Sequence, residues 1–265
     1  YGEKLGVNMH VITASAGALR NMTACINRCH LDIESRVVAP YAAGLSCLVE
    51  DEKELGVICI DMGGGTTDLS VFFDGEIVYT DSVPLGGNHV TNDIARGLST
   101  PVSYAERMKT LYGSAVPSPS DDQEVIKVPL VGEEDDGENQ ISRSMLVGII
   151  RPRIEEIYEL VREKLEPTGF EKAGARRVVL TGGASQLTGV RELGAEMLDK
   201  QVRLGRPNYV KGLAESVNGP AFSAPAGLIQ VILKERNASA MTSSRTIAVS
   251  GGKFGRFGQW IKENI

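Results

Sequence analysis

Three consecutive glycines between two aspartates, Asp61-Met62-Gly63-Gly64-Gly65-Thr66-Thr67-Asp68, constrain this chain more than any other stretch. Strand-like Val57-Ile58-Cys59-Ile60 leads in and Leu69-Ser70-Val71-Phe72-Phe73 leads out, so the segment predicts a β-hairpin. Three glycines exceed what a turn needs. They let a ligand approach the backbone without a Cβ in the way, and they bare N–H groups of the kind that cradle phosphate. Thr66 and Thr67 add hydroxyls for phosphate or water. Asp61 and Asp68 bracket the turn, and Asp61 is the candidate carboxylate for holding a hydrated Mg²⁺ against phosphate oxygens. The pattern is not a Walker A loop, because no Gly-Lys-Ser/Thr follows and no helix opens after the glycines. A glycine-rich turn with two solvated aspartates is the plainer reading of the same residues.

The 265 residues allow one large or two ordinary domains, and 42% hydrophobic content with only 5% aromatics predicts an aliphatic core. A net charge of -6 argues against a general nucleic-acid binder. No run has the apolar length of a membrane span, and no signal peptide opens the chain. The missing initiator Met suggests a piece of something longer. Cys25 and Cys29 stand four apart in a helical pattern, which suits two small core residues better than a metal site with His30.

Along the chain, periodicity predicts a strand at Val7–Ala14, a helix at Ser15–Cys29, a short strand at Arg36–Ala39 and a small-residue helix at Tyr41–Val49. The hairpin and a third strand, Glu76–Ser82, form a meander ending at Gly86-Gly87. Helices follow at 88–98 and 103–112, a hairpin at 125–142 with an acidic tip at Gly132–Gly137, and a long helix at Ser144–Glu166. Arg177–Thr181 reads as a buried strand, followed by a helix at Gly189–Asp199, a strand at Val202–Leu204, and an Ala/Gly-rich helix at Gly219–Leu233.

Two further motifs carry chemistry. Gly182-Gly183-Ala184-Ser185 ends a strand, where ligands sit in open α/β sheets, and its small residues leave room for a flat base; an ordinary strand-to-helix turn fits equally well. Ser103-x-x-Glu106 is a capping box by itself, and Glu106 with Lys109 could simply pair on the surface. The functional alternative puts Glu106 and Lys109 on one helix face, reaching a ribose and base.

Taken together, these three motifs resemble the actin-like ATPase superfamily: Asp61–Asp68 matches its second phosphate loop, Gly182–Ser185 its adenosine motif, and Glu106-x-x-Lys109 its ribose-contacting helix. Pro40–Gly44 and Ala224–Gly227 resemble its two connecting helices. The resemblance implies an α/β, actin-like (ribonuclease H-like) two-lobed fold with mixed sheets flanked by helices. It also implies ATP and Mg²⁺ as cofactors, with Gly87 and Asn88 among the cofactor-binding residues. Residues 1–50 would be the remainder of an incomplete first lobe. Residues 51–237 would be the second lobe, with an outer subdomain at about 88–175, the adenosine motif within 178–200 and the second connecting helix at 219–233. The first phosphate loop would lie ahead of Tyr1.

The last residues, 253–265, read as an amphipathic helix with Phe254, Phe257, Trp260 and Ile261 on one face and cations on the other, after a flexible linker at 238–252. An actin-like body with such a tail resembles the FtsA family of bacterial cell-division proteins. Supporting stretches are Gly87-Asn88-His89-Val90-Thr91-Asn92-Asp93-Ile94 and Arg203-Leu204-Gly205-Arg206-Pro207. That resemblance implies ATP binding, polymerisation with itself, and tethering of the carboxy-terminal peptide of FtsZ to an anionic membrane surface. The expected place is the cytoplasmic face of the inner membrane at the division septum, where other division proteins are recruited. Arg203, Arg206 and Lys211 are basic candidates for an acidic peptide. With Val38-Ala39 ahead of Pro40 where the superfamily often orients the attacking water, at most weak ATPase activity is expected. The alternatives are an actin-fold ATPase or kinase in the cytoplasm, or a pilus-assembly relative.

Overall fold

The computed structural model describes residues 4–249 apart from position 8 and residues 133–137, 171–175, 209–211 and 213. A five-stranded mixed sheet organises it, in the order β3-β2-β1-β6-β7. The strands are β1 (Val57–Met62), β2 (Thr67–Phe73), β3 (Glu76–Val83), β6 (Arg177–Thr181) and β7 (Gln201–Leu204). β1, β2 and β3 form the predicted antiparallel meander, with Asp61 opposite Asp68 and Met62 opposite Thr67. β1 pairs in parallel with β6, and β6 with β7. A separate hairpin, β4 (Val125–Pro129) with β5 (Glu138–Ser142), lies outside this sheet.

Alternation along β1 explains why the sheet is covered twice. Ile58, Ile60 and Met62 point into the larger core, with Leu69, Val71, Val178 and Leu180. Val57 and Cys59 point the other way, into a smaller cluster with Cys47, Leu48, Phe72 and Val179. The larger core is closed by α4 (Gly87–Gly97), α5 (Val102–Tyr112), α6 (Arg143–Leu165) and α7 (Val190–Leu198). Ile150, Ile154, Ile157, Tyr158 and Val161 recur at helical spacing on α6 and are all buried there. Pro152 lies inside α6 without ending it.

The smaller cluster lies under α2 (Ala39–Cys47), which packs against α8 (Ser223–Val249). Their approach is close enough that a Cβ added to Gly227 would sit 1.8 Å from the carbonyl oxygen of Ala42. On the sheet side of α2, the Phe72 ring fills the space beside Gly44. A third helix, α3 (Glu50–Leu55), is tied to β7 by the buried Glu52, which accepts hydrogen bonds from Arg203.

Several expectations need correction. Val7–Ala14 and Arg36–Ala39 form no strand in the described residues; Val38 is extended but has no ladder partner, and a lone strand has little to hold it. The first helix, α1 (Ala16–Arg28), forms as predicted but buries none of its residues. Leu19 and Met22 instead line an open groove with Val38, Tyr41 and Val231. Cys25 and Cys29 are therefore exposed thiols and not core residues. The backbone of α8 stays helical through Val249, across most of the stretch read as a flexible linker; its alanines, Met241 and serines carry modest helix penalties. The tail with Phe254, Phe257, Trp260 and Ile261, the acidic tip from 133 to 137, and Lys211 lie outside the described residues. Among the described residues no helix is long and apolar enough to cross a membrane.

Candidate functional site

The ends of β1 and β6 meet the start of α4 at one point, and the reason is glycine. Asp61 on β1 is paired with Thr181 on β6, so the turn after β6 lies against the turn after β1. Gly182 has φ +85°, and a Cβ there would lie within 2.4 Å of Met62 O. Gly86 is equally constrained, because a Cβ would sit 2.6 Å from Gly63 O and 2.8 Å from Gly64 O. The first amides of α4 are then spent on the hairpin turn: Gly87 N–H donates to Gly63 O at 2.9 Å and Asn88 N–H to Gly64 O at 2.8 Å. Three separate stretches thus form one glycine-lined wall.

That wall borders a cavity of about 420 Å³. It brings together Gly63 and Gly64 from the hairpin, Gly87 and Asn88 from α4, Glu106 and Lys109 from α5, and Gly183 and Ala184 from the turn after β6. Eight of the predicted site residues therefore share one space. Gly65 and Thr66 are exposed on the hairpin tip beside it. Asp61 lies beneath the wall. Thr67 is buried and its hydroxyl donates to Leu85 O at 2.9 Å, so it is committed to holding the turn and is not available to a phosphate. Gly182 and Ser185 are also structural: Ser185 Oγ donates to Gly182 O at 2.7 Å, closing the short 3₁₀ turn Gly183–Gln186.

The sequence reading missed the rest of the lining. Val90, Ile154 and Ile157 form an apolar side, and Thr110, Gln186, Leu187 and Thr188 complete the rim. Ile154 and Ile157 were indistinguishable from core positions, because the same α6 stripe serves both. Gln186 to Thr188 directly follow the predicted motif, and continuing it by three residues would have found them.

Electrostatics divides the site in two. On the hairpin side, burial, reinforced by the charge of Asp68, pushes the Asp61 carboxyl up to about 6. Asp68 is held by Ser82 Oγ at 2.5 Å and Thr66 Oγ1 at 3.3 Å. Among the described residues no three His, Cys, Asp or Glu side chains cluster tightly enough to hold a metal by themselves. Two carboxylates beside exposed glycine backbone fit a magnesium ion that keeps waters and shares phosphate oxygens. A second positive group near Asp61 would do the same electrostatic work of restoring its ionised form.

On the α5 side, Lys109 Nζ is 2.7 Å from Glu106 Oε2. Burial alone would raise the Glu106 carboxyl, but hydrogen bonds from Lys109 and Thr91 and the Lys109 charge hold it below the usual glutamate value. The predicted capping box does not form. Pro101 is the cap and Ser103 is already inside α5, leaving Glu106 free to reach Thr91 and Lys109.

Behind the turn after β6 lies a small buried polar knot. Thr181 Oγ1 is 2.5 Å from Ser223 Oγ at the first residue of α8, and Cys47 Sγ of α2 is 3.1 Å from the same Ser223 oxygen. Gly182 N–H donates to Pro220 O at 3.2 Å. The cavity wall is thereby joined to the crossing of α2 and α8. Arg203, a candidate for binding an acidic peptide, is consumed by Glu52 and Cys47 O, whereas Arg206 is exposed.

Comparison with known proteins agrees with this architecture. The MreB5 structure of Spiroplasma citri bound to ADP superposes with a TM-score of 0.67 at 18% identity, covering 84% of this chain and 68% of that one. The protein of the PilM-PilN type IV pilus biogenesis complex gives 0.60 at 20%, covering 80% and 56%. These likenesses establish the actin-like fold. In sequence, the chain is 48% identical over 269 aligned residues to the cell division protein FtsA of Rhizobium meliloti (strain 1021), covering 100% of this chain and 61% of the relative. It is 37% identical to that of Pseudomonas aeruginosa and 33% identical to that of Escherichia coli (strain K12), covering 100% of this chain and 64% of each relative. The chain thus spans under two thirds of the length of the curated relatives it matches. The family described as "Cell division protein FtsA" matches residues 58–227, which hold the hairpin, α4, α5 and the turn after β6, and the chain belongs to that family.

Proposed function

We propose that the cavity binds ATP with Mg²⁺, and that the whole protein uses it as a structural ligand and polymer switch while tethering FtsZ to the cytoplasmic membrane. The observation that carries the reading is the convergence of eight predicted residues, from three glycine turns and one charged helix face, on one space of about 420 Å³. Exposed glycine amides at the hairpin suit phosphates, the Asp61 carboxylate suits a hydrated Mg²⁺, and Gly183-Ala184 against Ile154 and Ile157 suits a flat base. The related-fold MreB5 structures carry ADP and AMPPNP, which supports the same ligand class here. Residues 1–50 would complete the first lobe together with chain ahead of Tyr1, and residues 51–237 form the second lobe. Hydrolysis is weak at best, since Val38 and Ala39 offer no side chain to orient water before Pro40. Residues 253–265 would lie in an anionic membrane surface through Phe254, Phe257, Trp260 and Ile261, and the tether to FtsZ would hold the protein at the septum with other division proteins.

Two assays on the full-length protein test this. Calorimetric titration of Mg·ATP should show binding, and Gly183→Val, which adds bulk to the wall, should remove it; equal binding by both would put the nucleotide elsewhere. FtsZ should pellet with anionic liposomes when the protein is present but not when it carries Trp260→Glu. FtsZ that pellets equally with both would refute the tail as anchor.

A further inference from the structure

We propose that Thr91, which does not line the cavity, is a positioning residue for the sugar of a bound nucleotide: its buried hydroxyl sets the Glu106 carboxylate, which Lys109 in turn links to the Gly87 turn. This rests on the nucleotide reading of the cavity given above. Thr91 sits in the second turn of α4 and is only 4% exposed. Its Oγ1 lies 3.0 Å from Gly87 O, 2.5 Å from Glu106 Oε2 and 2.8 Å from Lys109 Nζ. A helical threonine ordinarily returns its hydroxyl to the carbonyl four residues back, and the contact with Gly87 would be only that. The other two contacts reach a different helix and two of its charged side chains, Glu106 and Lys109.

Counting protons assigns the roles. A hydroxyl has one proton and two acceptor sites, whereas an ammonium has three protons and accepts nothing. Thr91 therefore accepts from Lys109. Its own proton has two candidate acceptors, and the closer, ionised Glu106 oxygen makes the stronger bond. The Gly87 carbonyl is then served by Lys109 Nζ at 3.1 Å. Lys109 thus spends all three protons on Gly87 O, Thr91 Oγ1 and Glu106 Oε2. It has none left for a ligand, which revises its expected role from contact to clamp.

Recognition falls to Glu106, whose side chain is half exposed and borders the cavity. A carboxylate only accepts hydrogen bonds, so the matching ligand group is a hydroxyl donor such as a sugar diol. Thr91 from behind and Lys109 from the side fix the angle at which that carboxylate meets it. Valine in place of Thr91 keeps the shape and removes the proton, which frees Glu106 to swing.

The test compares the full-length protein with its Thr91→Val and Thr91→Ser variants, measuring affinity for ATP and for 2′- and 3′-deoxy-ATP. The unmodified protein and Thr91→Ser should prefer the intact ribose, while Thr91→Val should lose about tenfold of that preference and keep its affinity for the deoxy ligands. An undiminished ribose preference in Thr91→Val overturns the positioning role alone. Absence of nucleotide binding by the unmodified protein overturns the cavity reading and this role with it.

Discussion

Replacing Gly227 by alanine should destabilise the protein even though alanine is the better helix former. A Cβ at Gly227 would lie 1.8 Å from Ala42 O, 2.3 Å from Ala42 C and 2.8 Å from Ala42 Cα. All three atoms are backbone, so no rotamer change relieves the clash. Restoring a C···O contact of about 3.3 Å requires α2 and α8 to part by about 1.5 Å. Overpacking of this kind costs roughly 1–3 kcal/mol, and backbone against backbone belongs at the upper end. The propensity gain of alanine over glycine returns about 1 kcal/mol, leaving a net loss of about 2 kcal/mol. For a protein of this size that lowers the melting temperature by about 4–8 °C. Gly148 provides the control: it is exposed within α6 and an added Cβ meets nothing within 4 Å. Gly148→Ala should therefore raise the melting temperature by about 2–4 °C. Scanning calorimetry on both variants decides the matter, and shifts of the same sign would refute the reasoning.

Two other perturbations test the electrostatics. The Asp61 carboxyl is raised from 3.8 to about 6, so the folded state holds its proton more tightly than the unfolded chain does. Its destabilising ionisation builds from about pH 4 to about pH 6 and is complete above that. Without nucleotide, Asp61→Asn should therefore stabilise the protein by about 2–3 kcal/mol at pH 7.5 and by almost nothing at pH 4; equal gains in denaturant melts at both pH values would contradict the assignment. Arg203→Met should cost about 3 kcal/mol, because Glu52, with 5% of its side chain exposed, would keep the Val49 N–H and, as its cationic partner, Arg177 at 3.9 Å. Adding Glu52→Leu should recover most of that loss in urea melts, and a double variant no more stable than Arg203→Met would argue against a stranded charge.

The elements most legible in the sequence were those whose signal is local. The meander from Val57 to Val83 follows from alternation and a glycine turn, and α6 from a stripe of Ile and Leu at helical spacing. The candidate site was legible where glycines punctuate the chain, at Gly63-Gly64, Gly87 and Gly183. What failed depended on neighbours. The Val7–Ala14 pattern is strand-like, but alternation cannot supply a partner strand. The stripe of Leu19 and Met22 on α1 faces an open groove, because amphipathicity reports a preference for cover and not its presence. Ser103 satisfies the capping-box pattern, yet Pro101, two residues earlier, had already fixed the helix start. Thr67 and Thr91 show the same limit at atomic scale: which hydroxyl is free depends on Leu85 and Glu106, which are distant in sequence.

The knot at Thr181 and Ser223 makes α8 a lever with its fulcrum beside the cavity. Ser223, its first residue, is bonded to the end of β6, one position before the glycine turn that borders the cavity. From there the helix runs 27 residues, about 40 Å. A rotation of about 5° about that root is an adjustment of about 0.4 Å at the helix surface, yet it carries the far end about 3.5 Å. A change too small to disturb packing at Gly182 thus becomes ångströms at Val249, and the gain is set by length alone.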